Sequence, residues 1–220
     1  MAEQWILPTM VFKLIKGLVN EAKETEETIR KNRQYGKVRE SWISAVFLLR
    51  KMQVEGNVWY LRKNDLENSV DDIYAQPFVI KNGRVYSSGA IPIQAFQITE
   101  NSPSLKKAIS NKLTNDLRGV SLVGYIMRDD KINWMGLHRW LKKIKPDLRD
   151  IHIIANIYSG VFTIVQVYPK LNFIDIGINL CILNAKSIVE PTRVYKEVDS
   201  GVTYLGKAKL TSNMDVIKEN

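Results

Sequence analysis

The stretch SVDDIYAQPFVIKNGRVYSSGAIPIQAFQITE, residues 69–100, decides the fold of this 220-residue chain. Its two halves are rich in apolar and β-branched residues, and Asn82-Gly83 between them is a strong signal for a two-residue hairpin turn. The stretch therefore predicts two antiparallel strands joined by a tight turn. Acids open the first strand and two glutamines interrupt the second, so these polar residues are either solvated or part of a site.

The segments before this hairpin predict two helices and one more strand. A helix from Val11 to about Arg33 has apolar residues in its first half and a charged, solvated second half. The run KVRESWISAVFLLRKM, residues 37–52, spaces its apolar residues three to four apart, which predicts an amphipathic helix that packs on a sheet. NVWYLRKN, residues 57–64, is aromatic and β-branched and predicts a strand. With the hairpin it completes a three-stranded antiparallel meander.

The segment after the hairpin predicts a helix that leads into a buried strand. Ser102 and Ser104 flank Pro103 and predict the cap of a helix that ends before Gly119. The apolar run VSLVGYIM, residues 120–127, is typical of a strand that is covered on both faces. The chain therefore crosses by a helix from the meander into a central strand.

The rest of the chain predicts a helix and further strands. Residues 132–145 predict a helix with a basic outer face, and residues 150–158 and 161–169 predict two strands. Residues 173–183 could form a strand or a buried helix. About thirty residues at the end predict a polar tail with scattered strand-like pieces.

These elements predict an α+β fold in which a mixed sheet is flanked by helices. The predicted order is helix, three strands, helix, strand, helix and two strands. We expect an N-terminal helical extension over residues 1–36, a core over residues 37–175, and a C-terminal extension over residues 176–220 that packs on the core. A hydrophobic content of 45% and a charged content of 25% are typical of a globular protein.

The charge balance favours an anionic partner. Lys and Arg number 32 against 23 acids, which gives a formal net charge of +9 and a pI near 9.5. Such a charge raises the local concentration of a polyanion such as DNA. Many small soluble proteins are equally basic without such a partner, so the charge alone decides nothing.

Cysteine content and hydropathy indicate a reducing, aqueous compartment. Cys181 is the only cysteine, which excludes an internal disulfide, and its apolar neighbours predict a buried reduced thiol. No stretch of about 18 uncharged apolar residues predicts a transmembrane helix. Glu3 and Pro8 interrupt the first apolar run, unlike a signal peptide. We therefore expect a cytoplasmic protein without a membrane partner.

The element order, with acids at the start of the second meander strand and polar residues inside the third, resembles the PD-(D/E)XK nuclease superfamily, which has the restriction-endonuclease-like fold. The resemblance covers roughly residues 37–170. In that family, carboxylates on neighbouring strands hold one or two magnesium ions against the scissile phosphate, and a lysine positions or activates the attacking water. The resemblance implies a Mg²⁺-dependent nuclease, with Mn²⁺ as a substitute, that hydrolyses DNA phosphodiester bonds.

The resemblance assigns the metal to acids on the second strand and on the preceding helix. SVDD takes the place of the family's Pro-Asp element, with Val70 in place of proline and Asp71 or Asp72 as the metal ligand. We prefer Asp72. Glu40 would supply the additional carboxylate that the family often takes from the helix. The alternative is that Asp71 and Asp72 only end the preceding polar turn, where aspartates are common.

The third strand departs from the family pattern. Where the family has acid-x-lysine, this chain has Gln94 and, in a shifted register, Gln97, and neither tripeptide contains an acid or a lysine. A glutamine can ligate through its carbonyl oxygen but adds no charge, so the resulting magnesium site would be weaker. Lys106 or Lys107 on the following helix could supply the catalytic lysine. Alternatively, the glutamines are exposed residues of a half-solvated strand.

Two helices carry clusters of basic residues that could contact nucleic acid. Arg139, Lys142 and Lys143 lie near Trp140 on one predicted helix, and Lys106 begins a second cluster on another. Contacts from these residues to phosphates would be independent of sequence and sensitive to salt. The alternative is an ordinary solvated face.

Three functional hypotheses remain open. The first is a metal-dependent nuclease, and the second is a catalytically inactive member of that fold that binds nucleic acid or a protein partner. The third is an unrelated α/β scaffold with an interaction role. A homodimer would suit a duplex substrate. His138 and His152 are far apart in the sequence and have no acid or cysteine at the spacing of metal ligands, so neither predicts a metal site.

Overall fold

The computed structural model describes residues 3–23, 25, 28, 35–63, 73–129, 131–158, 161–177, 188–198 and 201–211. Within these ranges the chain forms four helices and eleven strands. The helices are α1 (Pro8–Ala22), α2 (Gly36–Glu55), α3 (Leu105–Lys112) and α4 (Trp134–Ile144). The strands are β1 (Glu3–Ile6), β2 (Val58–Lys63), β3 (Ile73–Lys81), β4 (Arg84–Tyr86), β5 (Ile91–Ile98), β6 (Ser121–Ile126), β7 (Asp150–Tyr158), β8 (Val161–Tyr168), β9 (Asn172–Gly177), β10 (Ile188–Val198) and β11 (Gly201–Thr211).

The strands form one mixed sheet in the order β2-β1-β11-β10-β4-β3-β5-β6-β7-β8-β9, and β2 also pairs with β3. The sheet divides at β3, because the start of β3 pairs with β5 and its end pairs with β4. On one side of this division lies the run from β5 to β9, in which β5, β6 and β7 are parallel. On the other side, β3, β4, β10, β11, β1 and β2 close into a ring of six strands.

Aromatic residues fill the ring of six strands. The ring of Phe78 on β3 makes edge contacts with Trp5 on β1 and Tyr60 on β2, at centroid distances of 5.7 Å and 5.5 Å. Val85 of β4 and Val194 of β10 are also buried. The ring therefore has an apolar interior, and the residues that alternate with these on each strand lie outside it.

The middle of helix α2 is buried on all sides. It belongs to one of two apolar clusters, which the sheet separates. Its residues from Trp42 to Met52 are all buried. They pack with α1, with the ring and with one face of the run from β5 to β9. The second cluster lies on the opposite face of that run, where α3 and α4 cover β5 to β8. The run is therefore the middle layer between two helical layers, as a strand covered on both faces requires.

The local signals at the hairpin and at the cap of α3 act as predicted. Asn82 and Gly83 have φ values of 49° and 72°, which is the left-handed geometry of a tight hairpin turn between β3 and β4. The Ser104 side chain accepts a hydrogen bond from the Lys107 backbone N–H at 3.4 Å and caps α3. Both predictions are confirmed.

Several element predictions need correction. Helix α1 begins at Pro8 and ends at Ala22, and Lys23 after it adopts a left-handed conformation. Most of residues 24–34, over which the predicted helix continued to about Arg33, lie outside the described residues. The hairpin joins β3 to the short strand β4, and the predicted third strand, β5, instead pairs with the start of β3. Residues 173–177 belong to a strand, β9, whereas Cys181 lies outside the described residues.

Residues 188–198 and 201–211 form two long strands in the region predicted as a polar tail with scattered strand-like pieces. These residues form β10 and β11, which pair with each other, with β4 and with β1. Where the structure describes the side chains of these strands, the charged residues are exposed, while Val194 and Ala208 are buried and close the ring. One buried residue per few positions is too sparse to read as a strand pattern.

The coarse prediction of a mixed α/β chain with a sheet flanked by helices is confirmed. No helix in the described ranges is long and apolar enough to cross a lipid bilayer.

The close packing between β5 and β6 leaves no room for a side chain at Gly124. A Cβ atom at this position would lie 2.5 Å from Phe96 Cζ and 2.9 Å from Ile153 Cδ1. Because both neighbours are buried, we expect Gly124→Ala to lower the free energy of unfolding by about 1–3 kcal/mol, the usual cost of overpacking a core. Denaturant unfolding followed by circular dichroism measures this change.

Gly17 in α1 provides the matched control for this substitution. A Cβ there would meet nothing within 4 Å. Gly17→Ala should therefore raise the unfolding free energy by about 0.5–1 kcal/mol through helix propensity alone. Equal destabilisation by both substitutions would show that the contact of Phe96 with Gly124 is not tight.

Candidate functional site

Helices α3 and α4 lie side by side on one face of the sheet. Leu105 and Ile109 of α3 share one apolar cluster with Leu137 and Leu141 of α4. Because both helices bury these apolar residues, their polar sides point away from the sheet together. The two basic segments that the sequence singled out therefore form one surface.

This surface, which we call the basic helical face, is made of five exposed cations and no acids within its helices. The cations are Lys106, Lys107, Arg139, Lys142 and Lys143. Residues 104–115 and 131–146, which include both helices, contain no Asp or Glu. Asp116 borders the face, but it is paired with Arg118 at 2.7 Å. The positive potential of the face is therefore not neutralised from within.

An aromatic residue lies between the two helices of this face. The Lys106 ammonium lies 5.1 Å from the centroid of the Trp140 ring, within the range of a cation–π contact. Trp140 is half-buried, so its apolar body packs between the helices while its edge reaches the surface. The contact fixes Lys106 relative to α4.

Hydrogen bonds to the backbone hold both helices in place. The Arg128 guanidinium donates to the carbonyl oxygens of Ser102 at 2.6 Å and Pro103 at 3.2 Å, and so anchors the connection that leads into α3. The His138 ring donates from Nδ1 to the Val167 carbonyl oxygen at 2.8 Å and anchors α4 on β8. The sequence did not indicate either role, because both partners are backbone atoms distant in the chain.

The candidate metal ligands are divided between the two faces of the sheet. Strand alternation places Gln97 with Ile93 and Ala95 on the side of α2, and Gln94 with Phe96 and Ile98 on the side of α3 and α4. Glu40 on α2 can therefore share a site with Gln97 but not with Gln94. Lys107 lies on α3, on the side of Gln94.

Gln94 is only 5% exposed, which contradicts the alternative that it is a solvated strand residue. Gln97 is partly buried. Asp71 and the preferred metal ligand Asp72 lie outside the described residues, as does Val70. Ile73, the first described residue of β3, pairs with Ile93, the residue before Gln94.

The described residues alone do not fit a magnesium site. Glu40 is ion-paired with Lys37 at 3.1 Å, and Gln97 offers only a neutral oxygen. Among the described residues, no three His, Cys, Asp or Glu side chains come together in a way that could hold a metal ion. Any metal site at the start of β3 and β5 therefore depends on Asp71 and Asp72.

A buried polar cluster lies under the end of α2, and the sequence did not predict it. Asp150 and His152 stand on the same side of β7, with His152 Nε2 3.4 Å from Asp150 Oδ1 and the His152 ring 4.7 Å from the Phe47 ring. Ser121, the neighbour of Asp150 on β6, hydrogen-bonds to its carboxylate. The alternation of acid and histidine in DIHII was the available signal, since residues two apart in a strand share a face.

Two cations of α2 complete this cluster. Lys51 Nζ lies 2.6 Å from Glu55 Oε1, and the Trp59 indole donates to the other oxygen of Glu55 at 3.0 Å. Arg50 is buried beside them, and its charge is attracted to Asp150 and Glu55. Two cations and two acids therefore balance in this cluster, in which Arg50, Lys51 and Asp150 are buried and Glu55 is exposed.

Burial and charge set the protonation of the Asp150–His152 pair. Burial lowers the pKa of His152, and the cations Arg50 and Lys51 lower it further, although Asp150 opposes the shift. Burial by itself raises the pKa of Asp150, but hydrogen bonds from His152 and Ser121 and the Lys51 charge outweigh it, so the pKa lies below its usual value. At neutral pH, His152 is therefore neutral and Asp150 is ionised.

Comparison of the chain with protein-family models, with curated proteins and with solved structures finds no match. The resemblance to the PD-(D/E)XK nucleases therefore stays a prediction.

The pKa of His152 predicts a loss of stability on acidification. Its pKa is lowered on folding, so the unfolded chain binds the proton first as the pH falls below 6.5, the ordinary value. We expect the free energy of unfolding to fall as the pH drops below about 7, with a slope of at most about 1.4 kcal/mol per pH unit from this group.

His152→Gln tests this assignment, because an amide can still donate to Asp150 but does not titrate. Denaturant titrations at several pH values should show a smaller slope in the variant than in the wild type. An unchanged slope would mean that other groups cause the pH dependence.

Proposed function

We propose that the chain is a nucleic-acid-binding protein that contacts the phosphate backbone with its basic helical face. The observation that carries the proposal is the joining of two separate acid-free basic segments into one surface by the packing of α3 against α4. Five exposed cations on one rigid surface match the repeating charges of a nucleic acid.

The geometry favours recognition of phosphate over recognition of base sequence. The exposed cations are mostly lysines, which act as point charges rather than as planar forks for base edges. Helix α4 also lies against β8 through the His138 contact, so the face is not a helix that projects freely into a groove. Binding is therefore independent of sequence and strongly dependent on salt.

A second candidate function is Mg²⁺-dependent hydrolysis of DNA by the restriction-endonuclease-like fold. The observation that favours it is the order of α2, β2, β3, β5, α3 and β6, in which β2, β3 and β5 are antiparallel and β6 is parallel to β5. This is the meander followed by a helical crossover that the resemblance implies. Asp72 with Glu40 would hold the metal, which would supply Lewis-acid stabilisation at the phosphate.

The binding proposal predicts the salt dependence of two variants. In Lys142→Gln/Lys143→Gln, loss of two phosphate contacts should lower the affinity for duplex DNA and reduce the slope of log K against log salt by about 1.8. Fluorescence anisotropy with labelled duplex DNA over a series of salt concentrations measures both quantities.

Lys13→Gln/Lys16→Gln is the matched control for this pair. Lys13 and Lys16 are exposed on α1, which packs in the other apolar cluster. The control removes the same charge from the opposite side of the sheet, so it should change the slope far less. Equal effects of the two double variants would mean that net charge, rather than the basic helical face, determines binding.

The nuclease candidate predicts the effect of Asp72→Asn. If Asp72 binds the metal, the substitution should abolish both Mg²⁺ binding in calorimetry and Mg²⁺-dependent plasmid cleavage, while DNA binding persists. Asp116→Asn, which changes an exposed acid beside Arg118, is the control and should leave both intact. Absence of divalent-ion binding in the wild type would exclude this candidate and leave the binding proposal in place.

A further inference from the structure

Three tyrosines form a row across three neighbouring strands on the outside of the ring of six strands. Tyr195 of β10 pairs in register with Tyr86 of β4 on one side and with Tyr204 of β11 on the other. The Tyr86 and Tyr195 ring centroids are 6.2 Å apart, and those of Tyr195 and Tyr204 are 5.9 Å apart. We call this row the tyrosine ladder.

The tyrosine ladder lies on the outside of the ring of six strands. Val85 precedes Tyr86 and is 3% exposed, and Val194 precedes Tyr195 and is also 3% exposed. Alternation along β4 and β10 therefore turns Tyr86 and Tyr195, which are partly exposed, away from the apolar interior. Tyr204 is 53% exposed, and Val202 and Leu205 on the same strand are exposed as well.

Cross-strand aromatic pairs can stabilise a sheet without any ligand. The charged residues near the ladder, however, indicate an anionic ligand. Five exposed cations lie on β10, on β11 and on the strands β3 and β4 next to them, namely Lys81, Arg84, Arg193, Lys196 and Lys207. Among the described residues of β4, β10 and β11 whose side chains are placed, the only acid is Glu197, and Lys81 holds it at 3.1 Å. An aromatic surface bordered by excess positive charge is complementary to a polyanion.

The cations are arranged so that they border the rings rather than cover them. Arg84 lies 6.0 Å from the Tyr195 centroid, and Lys81 lies 5.9 Å from the Tyr86 centroid. Both distances are at the outer limit of a cation–π contact, so these contacts contribute little. They leave Arg84 available to phosphates, whereas Lys81 is ion-paired with Glu197.

We propose that the tyrosine ladder binds single-stranded nucleic acid, with bases stacked on the tyrosine rings and phosphates held by the bordering lysines and arginines. Successive bases on aromatic side chains, beside a basic path for the backbone, are the general means of binding single strands without sequence preference. A duplex keeps its base faces stacked inside, so it cannot use the rings.

This inference goes beyond the proposed function and does not depend on it. The ladder lies on the ring, whereas the basic helical face lies on α3 and α4 over the other end of the sheet. Variants of each surface therefore test one proposal at a time.

The test is the affinity of Tyr204→Leu for an oligothymidine of about 16 nucleotides, the upper end of common site sizes. Fluorescence anisotropy should show about tenfold weaker binding than the wild type, because one stacking position is lost. The affinity for a duplex of the same length should not change. The fold-change should also be the same at about 50 and about 200 mM salt, since stacking releases no counterions.

Tyr204→Phe is the matched control, because it keeps the ring and removes only the hydroxyl. Its affinity for oligothymidine should stay within about twofold of the wild-type value. An equal loss of affinity in the phenylalanine and leucine variants would overturn the inference. So would wild-type affinity in Tyr204→Leu, or no binding of oligothymidine by the wild type.

A second measurement does not depend on how well the leucine variant folds. Ultraviolet cross-linking of the wild-type protein to a bromodeoxyuridine oligonucleotide, followed by peptide mapping, should place cross-links in the peptides that contain Tyr86, Tyr195 or Tyr204. Cross-links found only in other peptides would overturn the inference, including the case where they map to α3 and α4.

Discussion

The burial of α2 is the constraint on which the rest of the structure depends. A helix that buries eleven consecutive residues, Trp42 to Met52, needs apolar partners on every side. One side is covered by the run from β5 to β9, another by α1, and the remainder by the ring of six strands. Trp42 shows how closely these layers meet, since its ring contacts Phe12 of α1 and Tyr125 of β6 at centroid distances of 6.4 Å and 4.9 Å.

The same burial explains the polar cluster at the end of α2. Arg50 and Lys51 lie on a helix turn that the ring and the sheet enclose, so their charges need acids within reach. Glu55 one turn later and Asp150 at the start of β7 meet this need. Sliding α2 by one turn would separate the buried cations Arg50 and Lys51 from the buried Asp150, so the cluster favours one position of the helix against the strands.

Local signals in the sequence predicted many of the helices and strands, but they did not predict that six strands close into a ring. The hairpin at Asn82-Gly83, the cap at Ser104 and the buried strand β6 follow from interactions within a few residues, and short patterns carry such information. The pairing of β1 with β11 joins opposite ends of the chain, and Ala208 is the one buried residue among the described side chains of β11. A pattern so sparse cannot be distinguished from a polar tail.

The candidate sites show the same division between local and distant information. The basic segments of α3 and α4 were visible in the sequence, but only packing shows that they share one surface. The tyrosine ladder was invisible, because Tyr86, Tyr195 and Tyr204 become neighbours only when β4, β10 and β11 pair. The sequence shows Asp150 and His152 two residues apart in a strand, but only the packing of α2 over β7 shows that Arg50 and Lys51 lie near them.

The position of Gln94 bears on how the two candidate functions are weighed. This side chain is enclosed between β5 and the layer of α3 and α4, where an ionised carboxylate would lose its hydration. A glutamate there would require a metal ion or a cation to balance its charge, whereas a glutamine requires only hydrogen bonds. A neutral amide at the place where the nuclease resemblance expects an acid therefore removes the structural need for a metal. The cations of the basic helical face and those beside the tyrosine ladder lie on outward surfaces, where they are accessible to a polyanion, and this supports the binding proposal.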